Sequence, residues 1–78
     1  MAHVHLYAAA RAAAGVAVTE ISATRLGELL RLLKSNHPEL EKVLLGCSYL
    51  LNGTACSDLQ TVITEEDHID VLPRFAGG

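Results

Sequence analysis

The start of the chain alternates polar and apolar residues, which predicts a strand. In the segment His3-Val4-His5-Leu6-Tyr7 the apolar side chains occupy every second position, as in a half-buried strand with Val4 and Leu6 facing inward. Residues 8–14 are rich in alanine but short, so we expect a helical turn or loop that ends at Gly15. The β-branched segment 16–21 predicts a second strand, joined to the first as a hairpin.

The clearest pattern is an apolar stripe with helical spacing. Four leucines recur at i, i+3, i+4 and i+7, and charged residues take the other face, so we expect the stripe to pack in the core: Leu26, Leu29, Leu30 and Leu33. Thr24 is the expected N-cap of this helix. Asn36 and Pro38 mark its end, because proline cannot continue a helix and disfavours helical geometry before it. Pro38 is well placed to open a second short helical turn that Gly46 terminates.

The remaining segments predict two or three short strands. Residues 48–51 are apolar and precede Asn52-Gly53, a favoured tight-turn dipeptide, so 54–57 is the expected return strand. Residues 68–72 alternate with Ile69 and Val71 inward, and Pro73 should end the ladder because it lacks an N–H. This order predicts an α+β fold with one main helix on one face of a small mixed sheet, which is the β-grasp pattern.

Composition narrows the function classes. The chain has 78 residues, enough for one small domain, and its net charge of −3 argues against nucleic acid as a partner. No segment reaches the roughly 20 apolar residues of a membrane helix, so we expect no membrane association and a cytoplasmic location. Cys47 and Cys56 are too few for a disulfide scaffold or a Cys-only metal site; free thiols are favoured, and a disulfide between them stays open.

Other candidate chemistry is weak. His3 and His5 share one face of a strand and could hold a metal ion, but exposed strand histidines explain the pattern equally well, and we assign no metal ligands. A nucleophilic cysteine would need a base such as His37 or His68, and nothing in the sequence places either nearby. No glycine-rich loop cradles a phosphate, so we expect no bound cofactor.

The glycine pair at positions 77 and 78 is the most informative feature. Without Cβ atoms, Gly77 and Gly78 can thread a narrow channel and approach another backbone closely. The five residues 74–78 in extended form would reach roughly 17 Å beyond the domain. The Gly78 carboxylate is then a reactive group on a slender arm that can enter the active site of another protein.

These features resemble a known family along nearly the whole chain. The matching segments are Tyr7-Ala8-Ala9-Ala10-Arg11, Thr24-Arg25-Leu26-Gly27-Glu28-Leu29-Leu30, Leu51-Asn52-Gly53, Ile69-Asp70-Val71-Leu72-Pro73 and Phe75-Ala76-Gly77-Gly78. They resemble the MoaD/ThiS family of ubiquitin-like sulfur carriers, more closely the MoaD branch, which supplies the small subunit of molybdopterin synthase. The sequence departs from the family at Arg74, where a second proline is common, and at Glu66, where a glycine often precedes the aspartate.

The resemblance implies a carrier that is a substrate of other enzymes rather than a catalyst by itself. A ubiquitin-activating-type adenylating enzyme (MoeB-like) would use ATP and Mg²⁺ to adenylate Gly78, and a sulfur donor protein would convert the adenylate to a thiocarboxylate. The large subunit of molybdopterin synthase (MoaE-like) would then accept the arm. The implied division is a β-grasp domain at 1–73 and an extended, flexible tail at 74–78, with tail recognition by Pro73, Arg74, Phe75, Ala76 and Gly77.

Three alternatives stay open. The sulfur could go to thiamine, cysteine or tRNA instead of a molybdenum cofactor precursor. Gly78 could be joined to lysines, as in a ubiquitin-like protein modifier. The domain could also be a non-covalent binding module that docks through apolar patches on the sheet face not covered by the helix.

Overall fold

Five strands and three helices form a small two-layer α+β structure, and the computed structural model describes residues 1–74 of it. The elements in chain order are β1 (Ala2–Leu6), α1 (Ala8–Ala14), β2 (Val18–Ile21), α2 (Leu26–Asn36), α3 (Leu40–Leu44), β3 (Cys47–Leu51), β4 (Thr54–Ala55) and β5 (His68–Pro73). No helix in this described part is long and apolar enough to cross a membrane.

The sheet is mixed, with the strand order β2-β1-β5-β3-β4. Strands β1 and β2 form the predicted antiparallel hairpin, and β3 pairs antiparallel with both β4 and β5. The central pair β1–β5 is parallel and places His3 beside His68 and Leu6 beside Val71. The predicted β-grasp arrangement is confirmed, and its last strand, β5, lies between the first and third strands.

The core lies between the sheet and the helices. The leucine stripe of α2 is buried as predicted: Leu26, Leu29, Leu30 and Leu33. On the sheet side the inward residues predicted from alternation, Val4, Leu6, Ile69 and Val71, are at most 1% exposed. Fully burying each side chain of this size contributes about 1.5–3 kcal/mol, so these two facing layers contribute substantially to the stability of the domain.

The predicted N-cap of the main helix is wrong by one residue. Arg25, with extended backbone angles, precedes the first helical residue, Leu26. The N–H groups of Leu26 and Gly27 donate to the carbonyls of Thr61 and Leu59, at 2.9 and 2.8 Å, so a loop far along the chain satisfies the first turn of α2. Thr24 donates its own N–H to a Glu28 carboxylate oxygen at 2.8 Å, and this bond lowers the pKa of Glu28.

Smaller differences concern the ends of elements. Residues 8–14 form a two-turn helix, closed by Gly15 at φ +79°, whose N–H donates to the Arg11 carbonyl. The second strand begins at Val18, and the predicted return strand 54–57 pairs only at residues 54 and 55. Asn52 and Gly53 both have positive φ, at 50° and 87°, as the predicted tight turn requires.

Candidate functional site: the tail root and the open face of the sheet

The end of β5 leads out of the core and into the predicted tail. Pro73 pairs with Cys47 at the start of β3, and the N–H of Arg74 donates to the Gly46 carbonyl at 2.9 Å. Hydrogen bonding to the segment before β3 therefore continues one residue past the proline that was expected to end it. This point, from which residues 75–78 continue, is called the tail root below. The predicted site residues Phe75, Ala76, Gly77 and Gly78 lie outside the described residues.

A depression of about 280 Å³ adjoins the tail root. Its walls come from β3, from β4 with the residues that follow it, and from the Arg74 side: Cys47, Ser48, Tyr49, Ala55, Cys56, Ser57 and Arg74. The lining is mostly small or thiol-bearing side chains, with a single cation at the rim.

The thiol of Cys47 is held in its protonated form. The Cys47 Sγ donates to the Val43 carbonyl at 3.2 Å, and burial raises the pKa of this thiol above its usual value of 9.0. Beside it the hydroxyl of Tyr49 donates to the Leu44 carbonyl at 3.2 Å, and burial again raises the pKa of the phenol. A thiol is a poor nucleophile until it ionises, so Cys47 is not activated for attack at neutral pH.

The second cysteine is also engaged by a neighbour. The Cys56 Sγ contacts the Thr61 hydroxyl at 3.3 Å, and both cysteines are free. His68 is a candidate base for a nucleophilic cysteine, but its ring contacts His5 and not a thiol. The structure therefore does not bring these cysteines together with His68 into a catalytic pair.

Within residues 1–74, no helix or strand covers the face of the sheet opposite the helices. Because strand residues alternate between faces, the partners of the buried positions point away from the helices. We call this surface the open face; the register assigns to it His3, His5, Val18, Glu20, Ser48, Leu50, Ala55, His68, Asp70 and Leu72. Three of its apolar members, Leu50, Leu72 and Ala55, lie on the side that leads to the tail root, whereas Val18 lies on β2 at the opposite edge.

Three histidines gather at the centre of the open face. The rings of His3 and His68 stack with centroids 4.7 Å apart, and His5 Nε2 lies 2.9 Å from His68 Nδ1. Sequence alternation placed all three on an outward face but did not reveal that β1 and β5 are neighbours. In residues 1–74, no group of three or more His, Cys, Asp or Glu side chains is arranged to hold a metal ion.

The turn between β3 and β4 is fastened to the start of β5. The Asn52 side chain donates to an Asp67 carboxylate oxygen and accepts the N–H of His68, both at 2.9 Å. The other Asp67 oxygen accepts the N–H of Thr64 at 2.8 Å. These hydrogen bonds, the one from Asn52 first, lower the pKa of Asp67. The clamp fixes where β5 begins and, through β5, where the tail root lies.

Comparison with known proteins identifies a family for this chain. A family model described as the ThiS family matches residues 4–78. No curated protein matches the chain.

Solved structures share the fold over almost the full length. The solution structure of small archaeal modifier protein 1 (SAMP1) from Methanosarcina acetivorans has a TM-score of 0.89 at 26% identity, covering 99% of this chain and 95% of that chain. The complex of subunits 1 and 2 of molybdopterin-converting factor from Helicobacter pylori gives 0.74 at 25% identity, with 99% and 97% coverage. The BexX/CysO complex from Amycolatopsis orientalis gives 0.84 at 18% identity, with both chains fully covered (100%), a likeness of fold alone.

Proposed function

The chain belongs to the ThiS family of ubiquitin-like sulfur carriers, and we propose that a partner enzyme adenylates its Gly78 carboxylate. The adenylate is then converted to a thiocarboxylate. The observation that carries the proposal is the path of β5. This strand runs through the centre of the sheet, and the Arg74–Gly46 hydrogen bond then fixes the point from which residues 75–78 continue. The carrier thus holds a fixed base for its reactive arm.

The proposed chemistry proceeds in three steps on the Gly78 carboxyl group. A carboxylate oxygen attacks the α-phosphorus of ATP, pyrophosphate leaves, and an acyl-adenylate forms. A persulfide sulfur on a donor protein attacks the acyl carbon and expels AMP. A second thiol then cleaves the sulfur–sulfur bond, giving the thiocarboxylate and a disulfide on the donor side. ATP and Mg²⁺ belong to the activating partner, which is of the ubiquitin-activating type.

The state of Cys47 is suited to a carrier with this chemistry. An acyl-adenylate reacts with any thiolate that it meets, and a thiolate at the root would compete with the donor persulfide whenever the arm folded back onto the domain. Burial raises the pKa of Cys47, so the thiol beside the tail root stays protonated. In this proposal the chain supplies the reacting carboxylate, and its partners supply the nucleophile and the catalytic groups.

Residues of the tail have distinct proposed roles. Gly78 reacts, and Gly77 lets the backbone pass through a narrow channel because it has no Cβ. Ala76, Phe75 and Arg74 position the arm, and Pro73 limits the directions in which it leaves the sheet. The depression beside Arg74 offers a hold for the partner at the tail root.

For the acceptor, we propose the large subunit of molybdopterin synthase, with this chain as the small subunit. The support is the likeness to the Helicobacter pylori complex, in which subunits 1 and 2 of molybdopterin-converting factor are bound to each other. We further propose that the open face, with its apolar side next to the tail root, is the surface on which such partners dock. The arm would then enter the partner from a fixed position.

A reconstituted reaction tests the proposal. The chain is incubated with a cognate activating enzyme, ATP, Mg²⁺ and a persulfide donor, and the Gly78 product is identified by mass spectrometry. Gly78→Ala, or one glycine added after Gly78, should abolish thiocarboxylate formation while far-UV circular dichroism stays unchanged. The matched control is one glycine added before Met1, which is exposed and far along the chain from the tail. Normal sulfur transfer to either C-terminal variant would contradict the carrier function.

A second function is supported by the likeness to a small archaeal modifier protein. In this alternative Gly78 forms an isopeptide bond with a lysine of another protein, again through an adenylate. The two functions differ in the product: a thiocarboxylate on the free chain, or a branched peptide that contains Gly78 and a lysine. The same mass spectra therefore distinguish them.

A further inference from the structure

Two histidines on adjacent parallel strands meet through their ring nitrogens. His5 Nε2 on β1 and His68 Nδ1 on β5 are 2.9 Å apart, and the ring planes are inclined by only 18° with centroids 5.2 Å apart. A nitrogen–nitrogen separation of this length is that of a hydrogen bond. One facing nitrogen must then carry a proton and the other a lone pair.

This contact restricts the tautomers of both rings. If His5 donates from Nε2, neutral His68 must carry its proton on Nε2; if His68 donates from Nδ1, neutral His5 must carry its proton on Nδ1. In either arrangement the two neutral rings hold one proton on the line between them. An isolated surface histidine has no such restriction.

We propose that His5 and His68 form a proton-sharing dyad. Its hydrogen bond holds the two rings together at the centre of the open face, and the rings separate when both are protonated. The first added proton leaves the dyad intact, because an imidazolium still donates to the lone pair of its neighbour and the bond becomes charge-assisted. The second added proton places N–H groups on both facing nitrogens. The rings must then separate, and two like charges drive them apart.

The groups around the dyad set its electrostatic environment. His3 lies on β1, as His5 does, and its ring stacks on that of His68. The Nδ1 of His3 lies 3.2 Å from a carboxylate oxygen of Glu20 on β2. From β5 and the turn before it, Asp70 and Asp67 contribute carboxylates.

The remaining neighbours add little charge. The Tyr7 hydroxyl donates to Asp70 at 3.4 Å. The register places uncharged Val18 beside His5 on β2, and the residue bonded to His68 from the turn after β3 is the uncharged Asn52. The carboxylates partly offset positive charge on the rings, whereas a charged His3 stacked on His68 adds to the repulsion between the rings.

The dyad has a consequence for the surface as a whole. Histidine is the side chain that changes charge near physiological pH. Protonation of both rings therefore replaces a hydrogen-bonded pair in the middle of the open face with two separated cations. A protein seated on that face would have to accommodate these charges. The dyad itself, however, stands on the geometry of His5 and His68 and is independent of the sulfur-carrier proposal.

Nitrogen-15 NMR of the histidine rings tests the dyad in the intact chain. Near pH 8 the spectrum should show a fixed tautomer for each of the two rings and a coupling across the bond between His5 Nε2 and His68 Nδ1. On acidification the coupling should vanish once both facing nitrogens carry a proton, because neither then offers a lone pair.

A variant pair isolates the effect. His5→Val suits a half-buried strand position and should release His68 to mixed tautomers, whereas His37→Gln, outside the sheet, should leave the dyad unchanged. The wild-type coupling and tautomers decide the matter even if His5→Val does not fold. Absence of the coupling in wild type, or a fixed His68 tautomer that persists in His5→Val, would overturn the proposal.

Discussion

The backbone N–H of Arg74 donates to the carbonyl of Gly46 at 2.9 Å, so the segment before β3 holds the chain at the point where it leaves the sheet. Pro73, one residue earlier, contributes no N–H and is paired with Cys47. Arg74 therefore provides the last backbone hydrogen bond of the described chain.

Removing the Arg74 donor should weaken the domain slightly. We expect Arg74→Pro to lower the free energy of unfolding by about 1 kcal/mol, because the Gly46 carbonyl loses its partner. Arg74→Ala keeps the N–H and is the matched control, with an expected change within about 0.5 kcal/mol. Urea denaturation measures both. Equal stability of the two variants would show that the hydrogen bond contributes nothing.

The leucine stripe of α2 should dominate stability. Leu29 is 0% exposed, and Leu29→Ala should cost about 2–5 kcal/mol through lost burial and the cavity left behind. The same substitution at Leu45, which is 86% exposed, should change stability by no more than about 0.5 kcal/mol. Thermal unfolding of the two variants provides the comparison, and similar losses in both would contradict the assignment of the core.

Gly27 allows the loop before β5 to approach α2. A Cβ at this position would lie 3.2 Å from the Leu59 carbonyl oxygen and 3.3 Å from the Leu59 Cβ. The Gly27 N–H also donates to that same carbonyl, so the loop cannot retreat without losing the bond. We expect Gly27→Val to destabilise the domain by about 1–3 kcal/mol.

A second glycine provides the control for this prediction. A Cβ at Gly46 would meet nothing closer than the Val43 carbonyl oxygen at 4.0 Å, so Gly46→Ala should be nearly neutral. Chemical denaturation of both variants measures the difference. A Gly27→Val protein as stable as wild type would mean that the loop does not need this close approach.

Asp67 should make stability depend on acid pH. Its pKa in the folded chain is below the usual 3.8, so it stabilises the fold above that value and the contribution is lost as the pH falls through the lower, folded-state pKa. Asp67→Ala should therefore lower the melting temperature at pH 7, and its difference from wild type should shrink on acidification. Glu66→Ala, in the same turn, is the control. A difference that stays constant with pH would contradict this role.

Hydrophobic spacing was sufficient to predict the fold class. The period of Leu26, Leu29, Leu30 and Leu33 identified the helix and its buried face, and the Asn52-Gly53 dipeptide identified a turn whose φ angles are both positive. These features are local, because a residue's spacing and its own backbone preference determine them.

The errors arose where distant segments supply the contacts. Thr24 has the side chain of a typical N-cap, but the N–H groups at the start of α2 donate to the carbonyls of Leu59 and Thr61 instead. These two residues are distant in sequence, so no local pattern predicts the contact. The parallel pairing that brings His68 against His5 likewise depends on which strands become neighbours. The site assignment at Gly78 rested on the glycine pair and the family resemblance, and it stays a prediction.

The most direct test of the central claim is mass spectrometry of the untagged protein from its native cells, cleaved before Asp70. The peptide from Asp70 to Gly78 contains no methionine or cysteine, so oxidation of sulfur cannot imitate an exchange of oxygen for sulfur at the terminus. We predict that a fraction of this peptide carries a thiocarboxylate at Gly78. A plain carboxylate in every growth condition, and also after incubation with the cognate activating enzyme, ATP and a sulfur donor, would contradict the sulfur-carrier function.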